Sequence, residues 1–363
     1  MVGTLQRYFV PGLVIQSVLI GATYATGRET TEFFLKSGPF PGLIGLFVTI
    51  ILYSLSCMVA FELARQYRVT DYKSFCKVYM GRLWFLYEIG FLYGVLITLS
   101  VIAAAASEFA SDMMGAPKLA TALTMMVVIS ALVYLKTSWI ERIMSIWSVL
   151  FFSVFALVLV LGIVRFGNEI GRKLEVEAVH LDAIWSAAIY TAFSLAILPV
   201  LIFVARHFRT RKEALVAGSL CGPIVFLPAL AIFLVLLPFH PAIVDAPIPI
   251  SIALERLDSP NLVLTVQIAI LGTLALTGAG LLHGANERIA NTMKEHRKQL
   301  PAAVRPGLAL AAMVFSVFLA TEVGIIDLVA QGFRYAAYVF VLVMVLPLVT
   351  RGFWMLGTGR PAQ

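Results

Sequence analysis

The sequence predicts an all-α polytopic membrane protein: ten transmembrane helices in a 5+5 inverted repeat, with helices one and six discontinuous. Three observations carry that expectation. The 363 residues are 60% hydrophobic and 13% charged, against about 25% charged in ordinary soluble domains, which excludes a soluble globular fold. The few basic residues cluster between apolar stretches, and polar or helix-breaking residues interrupt two of those stretches at corresponding places.

A membrane span needs about 20 apolar residues. Such windows fall at 9–35, 43–61, 83–106, 119–135 and 143–164, then at 184–205, 215–239, 262–283, 307–321 and 325–349. Residues 8–20 follow a single charge, Arg7, and show no small-residue cleavage site, so they are expected to open the first span and not a removable signal. With the N-terminus inside, 19 of the 27 basic residues fall on the cytoplasmic side, among them Arg65, Arg68, Lys73, Lys77 and Arg82. Six fall outside, while Arg28 and Arg334 lie within spans. The positive-inside rule then places both termini in the cytoplasm. The +7 charge is accounted for by this topology, and no basic soluble face with a reading motif suggests nucleic acid. Cys57, Cys76 and Cys221 sit in or beside apolar segments without metal-ligand spacing.

The polar stretch 166–182 is expected to be an external connection between a first repeat, 1–165, and a second, 183–351, followed by a short cytoplasmic tail, 352–363. Because five is odd, the second half starts from the opposite face, so two copies of one unit would be inverted. The connections after spans two and seven are both long, and each holds a short amphipathic piece, 72–80 and 248–257.

Span one contains Gly21, Ala22, Thr23, Tyr24, Ala25, Thr26 and Gly27, near mid-membrane at ~1.5 Å rise per residue. Two glycines and three polar side chains make a poor helix interior, and Thr26-Gly27-Arg28-Glu29 fits a capping box from which a helix restarts. In span six the break signal is Pro199, which removes the hydrogen bond to the Leu195 carbonyl; Tyr190, Thr191, Phe193 and Ser194 surround it. Free backbone groups at membrane depth must line a cavity or be buried in protein, so matched breaks point to a substrate site; the competing explanation is that both merely kink packed helices. Helix N-termini there would attract a carboxylate and free carbonyls a cation. Tyr24, Tyr93, Tyr190 and Phe193 would suit an apolar side chain or an ammonium. In span eight, Thr273 and Thr277 share a helix face and are placed to join carbonyls of span one around a small cation, while Gly280-x-x-x-Gly284 reads as a close-packing seam.

The stretch from Gly21 to Glu29 with Phe33-Phe34 follows the pattern G-A-x-[FY]-A-[ST]-G-x-E-x-x-x-F-F. With the five-plus-five topology, it resembles the bacterial YkvI-type membrane proteins of the amino acid–polyamine–organocation transporter superfamily, whose fold is similar to that of LeuT. The resemblance implies a secondary transporter working by alternating access but does not supply its substrate; the matched breaks and the aromatic residues suit a small amine-containing solute, an amino acid above all, carried across a bacterial inner membrane. The resemblance implies a sodium site at positions matching Val18, Gly21 and Thr277, although Gly278 stands where a second hydroxyl is expected. Coupling to Na+ or to H+ therefore both stay open. It also implies an outer gate in which Arg28 pairs with an acid of span ten, Asp327 or Glu322.

Charges at membrane depth cost at least about 2.5 kcal/mol on insertion scales, so Arg28, Glu29 and Arg334 should face partners or water. Glu29 is either a capping-box acceptor or a proton carrier; Arg334 either acts in transport or binds carbonyls of a broken helix. An enzyme is not expected, since no H-E-x-x-H or G-x-S-x-G occurs. The expected partners are a small-molecule substrate and the lipid bilayer, with no resident cofactor and no obligate protein partner. A channel, or a ligand receptor without coupled flux, is the alternative.

Overall fold

The computed structural model describes residues 4–19, 24–133, 137–257, 259–295 and 304–358, and among them all regular structure is helical. Helix α1 (Thr4–Leu19) precedes the first break and α2 (Arg28–Phe33) follows it. Next, α3 (Pro39–Tyr67) carries proline in its first turn, where a missing N–H costs nothing. The amphipathic α4 (Tyr72–Met80) lies where the sequence places it, capped by Asp71, whose carboxylate accepts from the Ser74 amide at 2.8 Å. Then come α5 (Trp84–Met114), α6 (Lys118–Val133) and α7 (Thr137–Lys173).

The expected connection 166–182 is shorter than its polarity suggests, because α7 stays helical to Lys173. Tertiary bonds anchor this extension: Arg165 donates to the Leu257 carbonyl at 2.9 Å and Lys173 to the His240 carbonyl at 2.8 Å. After α8 (Leu181–Leu195), α9 (Arg211–Leu236) opens on a complete capping box between Thr210 and Glu213, and Arg7 binds Glu213 at 2.7 Å. The second amphipathic piece is the short α10 (Pro249–Glu255). Helix α11 (Pro260–Glu295) is followed by α12 (Val304–Asp327), which runs across the expected boundary between spans nine and ten. Gly324, at φ 79 and ψ 164, makes the turn inside it. Beyond lie α13 (Phe333–Phe340), α14 (Phe353–Thr358) and three π-helical turns at Leu328–Gly332, Val341–Val345 and Leu348–Gly352.

Among the described residues, six helical stretches are long and apolar enough to cross a membrane: 39–67, 72–114, 149–173, 211–239, 260–285 and 310–358. Helices α6 and α8 are apolar but shorter. Val149, Leu342 and Phe353 are among many large apolar residues left more than half exposed on the bundle surface, as lipid-facing residues are. This is a multi-pass membrane protein.

The most extensive helix–helix seam joins α3 to α9, and its small residues include Gly218 and Gly222. A Cβ on Gly218 would sit 2.5 Å from the Met58 amide nitrogen, and one on Gly222 would collide with the Ile50 carbonyl oxygen and the Ser54 hydroxyl. Ser54 donates across the seam to the Ser219 carbonyl at 2.9 Å. The Gly280-x-x-x-Gly284 expectation is corrected at Gly284, where a side chain would meet open space. Close approaches of α11 occur instead at Gly272, against Trp147, and at Gly278, against Ile129.

Candidate substrate site

The first break is a buried turn, Tyr24 to Gly27, whose Gly27 amide bonds the Tyr24 carbonyl at 3.0 Å. Gly27 itself is the helix N-cap at φ 76, a left-handed conformation open to glycine, and a Cβ there would lie 2.7 Å from Leu236. The expected capping box is therefore corrected. The Thr26 hydroxyl accepts from the Arg28 amide at 3.1 Å, but Glu29 does not turn back to cap. Its carboxylate instead accepts from the Tyr190 hydroxyl of α8 at 2.6 Å. The Thr26 carbonyl, left free by the break, accepts from the Ile250 amide of α10 at 3.1 Å. Gly21, Ala22 and Thr23 lie outside the described residues.

The second break is fuller than a proline kink. Helix α8 ends at Leu195, four residues before Pro199, and turns span Ala196–Leu201 before a 3-10 helix, Ile202–His207. The Leu195 carbonyl accepts from the Leu198 amide at 2.9 Å, and the Ala196 carbonyl accepts from the Tyr87 hydroxyl of α5 at 2.8 Å. Both carbonyls thus find a donor, as membrane depth demands.

Between the breaks lies a cavity of about 110 Å³. Glu29, Tyr190, Phe193 and Ser194 line it beside the breaks, with Ala196 and Ile197. Helix α5 contributes Phe91, Gly94, Val95 and Thr98, one helical face at i, i+3, i+4 and i+7. Tyr93 points off that face and is only half-buried, so the aromatic wall comes instead from Phe91, Phe333 and Phe340. Phe193 stacks on Phe333 with centroids 4.2 Å apart and planes at 19°. Tyr24, Ala25, Thr26 and Gly27 are buried behind the cavity and do not line it. Among the described residues the walls are mostly apolar and aromatic, with the hydroxyls of Thr98, Ser194 and Thr277 and one carboxylate, Glu29.

Of the residues expected around sodium, Val18 and Thr277 both line the cavity. Thr273 does not join them: its hydroxyl donates to the Ala269 carbonyl at 2.7 Å and accepts from the Trp147 indole at 3.1 Å.

The expected pairing of Arg28 with span ten is also corrected. Arg28 binds Glu32, one turn along its own helix, at 2.7 Å, and donates to the carbonyls of Val244 and Ala246 at 2.7 and 3.0 Å. Asp327 instead accepts from Gln331 at 3.2 Å, and both Glu322 and Asp327 are exposed. Span ten contributes the cation: Arg334 lies 3.9 Å from Glu32, which Lys36 also binds, at 2.9 Å. Three cations thus share one buried carboxylate, and the polarity across the two spans is reversed from the expectation. Glu32 was missed although Arg28 and Glu32 stand at i and i+4, a spacing that brings side chains together on any helix.

No model of a known protein family matches the chain. The uncharacterized membrane protein YkvI of Bacillus subtilis is 20% identical over 338 residues, covering 90% of this chain and 92% of that protein. Among solved structures, the Eremococcus coleocola manganese transporter bound to an aromatic bis-isothiourea compound matches with a TM-score of 0.56 and 15% identity, covering 95% of this chain and 78% of that one. A histidine-to-alanine variant of that transporter matches at 0.54 and 14% identity, with the same coverage. The fold is that of the LeuT-like transporters. The solved structures that it matches are membrane transporters, not enzymes.

Proposed function

We propose that the chain is a secondary transporter of a small amine-containing solute, an amino acid being the reading that fits its resemblance to the amino acid–polyamine–organocation superfamily. Ten spans in a 5+5 inverted repeat would carry substrate by alternating access in a bacterial inner membrane, with both termini cytoplasmic. The observation that carries the proposal is Glu29: a carboxylate 5% exposed, held by Tyr190, facing an aromatic cavity between two broken helices, with no ion-pair partner among the described residues. An ammonium supplies the missing charge, and the rings of Tyr190, Phe193 and Phe91 suit both a cation and an apolar body. This turns the substrate round relative to the sequence expectation, amine and not carboxylate toward the α2 end.

Manganese, the cargo named for the structural neighbour, is less well supported, because no group of three or more His, Cys, Asp or Glu side chains occurs among the described residues. Thr277 is the one hydroxyl of the expected sodium set free to serve an ion, which favours H+ over Na+ as the coupling ion. Glu32 with Arg28, Lys36 and Arg334 forms the closed outer barrier in this reading.

Uptake of labelled amino acids, monoamines and Mn2+ into proteoliposomes, under imposed Na+ or pH gradients, tests the proposal. Saturable uptake of an amine driven by a pH gradient is expected. Unitary currents, or ligand binding without flux, would replace the transporter by the channel or receptor. In the same assay Gly27→Leu is expected to abolish uptake, since leucine is strained at φ 76 and meets Leu236. Normal uptake by a folded Gly27→Leu protein would remove the break from the mechanism.

A further inference from the structure

A second recess lies away from the substrate cavity, where α4 turns into α5. The 3-10 turn Gly81–Leu83 joins the two helices, and α4 packs on the π-turn Leu348–Gly352 near the end of the last apolar stretch. Between them is a cleft of about 710 Å³ whose charged lining is Lys77, Arg82 and Arg351. No acid lines it, and none of these three cations forms an ion pair among the described residues. The ammonium groups of Lys73 and Lys77 lie 5.0 and 5.3 Å from the centre of the Trp84 ring, an arrangement typical of the membrane–water interface, where Trp rings settle.

The cleft does not stop at the cations. Through Met80, Leu83 and Arg351 it continues into a groove of about 470 Å³ walled by Leu86, Leu342, Val343 and Leu346. Leu83, Leu342 and Leu346 are 55%, 68% and 47% exposed. Because 72–114 and 310–358 are both membrane-crossing stretches, the groove opens on hydrocarbon while the cations sit at its polar end. π-turns such as Leu348–Gly352 are enriched at functional positions, and this one presents Arg351 at the junction of cleft and groove.

A soluble anion would match the cations and leave the groove unfilled. A neutral lipid would fill the groove and leave three unpaired cations. We propose that this recess is a binding site for an anionic phospholipid, with the phosphodiester held by Lys77, Arg82 and Arg351 and an acyl chain lying along Leu342 to Leu346. Basic pockets between membrane helices recognise such headgroups by charge. The site is separate from the substrate cavity and does not depend on what the protein transports.

Native mass spectrometry of the full chain in detergent, titrated with phosphatidylglycerol or phosphatidylcholine of the same acyl chains, tests this without measuring flux. Phosphatidylglycerol is expected to bind at least tenfold more tightly. Each cation removed is expected to weaken it about fivefold, and the triple variant Lys77→Gln, Arg82→Gln, Arg351→Gln roughly a hundredfold. A control triple, Arg206→Gln, Arg209→Gln, Lys212→Gln, removes equal charge elsewhere and is expected to bind as wild type. If the first triple does not fold, Arg351→Gln alone carries the test through its fivefold loss. Equal affinity for the two lipids, equal losses in both triples, an unaffected Arg351→Gln, or displacement by inorganic phosphate at millimolar concentration would each overturn the site.

Discussion

Glu29→Gln is expected to lower amine uptake by two to three orders of magnitude while leaving the protein folded. Glutamine keeps a carbonyl oxygen to accept the Tyr190 hydroxyl, which bonds Glu29 at 2.6 Å, so the link between α2 and α8 survives. What is lost is the negative charge facing the cavity. Breaking a buried, hydrogen-bonded charge pair costs about 2–5 kcal/mol or more, which at about 1.4 kcal/mol per tenfold brackets the expected loss. Tyr190→Phe should be milder, about ten- to a hundredfold, because one hydrogen bond to a charged group contributes roughly 1.5–3 kcal/mol. Initial uptake rates in proteoliposomes, normalised to protein recovered by size exclusion, measure both. If Glu29→Gln transports at the wild-type rate, the amine-binding role of this carboxylate is wrong, and the residue merely joins two helices.

Gly222→Leu is expected to abolish folded protein altogether. The added Cβ collides with the Ile50 carbonyl and the Ser54 hydroxyl, and backbone cannot swing aside as a flexible side chain can. Helices α3 and α9 would have to separate along a seam that also includes Gly218 against the Met58 backbone. Overpacking one well-packed site costs about 1–3 kcal/mol, and here it would also break the Ser54 to Ser219 bond of 2.9 Å. Within a membrane, helix association depends on such close packing, because lipid tails solvate apolar surfaces as well as another helix does. Gly284→Leu is the matched control: its side chain would enter open space, and the variant should purify as wild type. A monodisperse Gly222→Leu protein of wild-type thermal stability would show that the seam tolerates separation.

The elements most legible in the sequence were those set by local composition. Apolar stretches became helices, residues 72–80 became α4 with Asp71 as its cap, and the first break became a turn that Gly27 completes at φ 76. Partnerships across the chain were not legible. For Glu29 the sequence offers a capping box, a local pattern, beside proton carriage; the Tyr190 that claims it is 161 residues away. Arg28 was assigned to a distant acid by analogy when its partner was four residues along, and the hydroxyl of Thr273 was offered to an ion although the Trp147 indole already uses it. The seam at Gly218 and Gly222 passed unnoticed beside the similar Gly280 and Gly284, since spacing alone does not say which small residues face a neighbour.

By itself, then, the sequence determined that this chain lives in a bilayer and where its helices weaken, because hydropathy and glycine or proline chemistry act within a few residues. Only the tertiary structure decided what those weak points face. It set Glu29 facing an aromatic cavity, gathered three cations on Glu32, and gave the freed Thr26 and Ala196 carbonyls donors from other elements. Inside a membrane no water is at hand to satisfy such groups, so each must be matched by whatever packing brings near, and packing is a property of the whole fold.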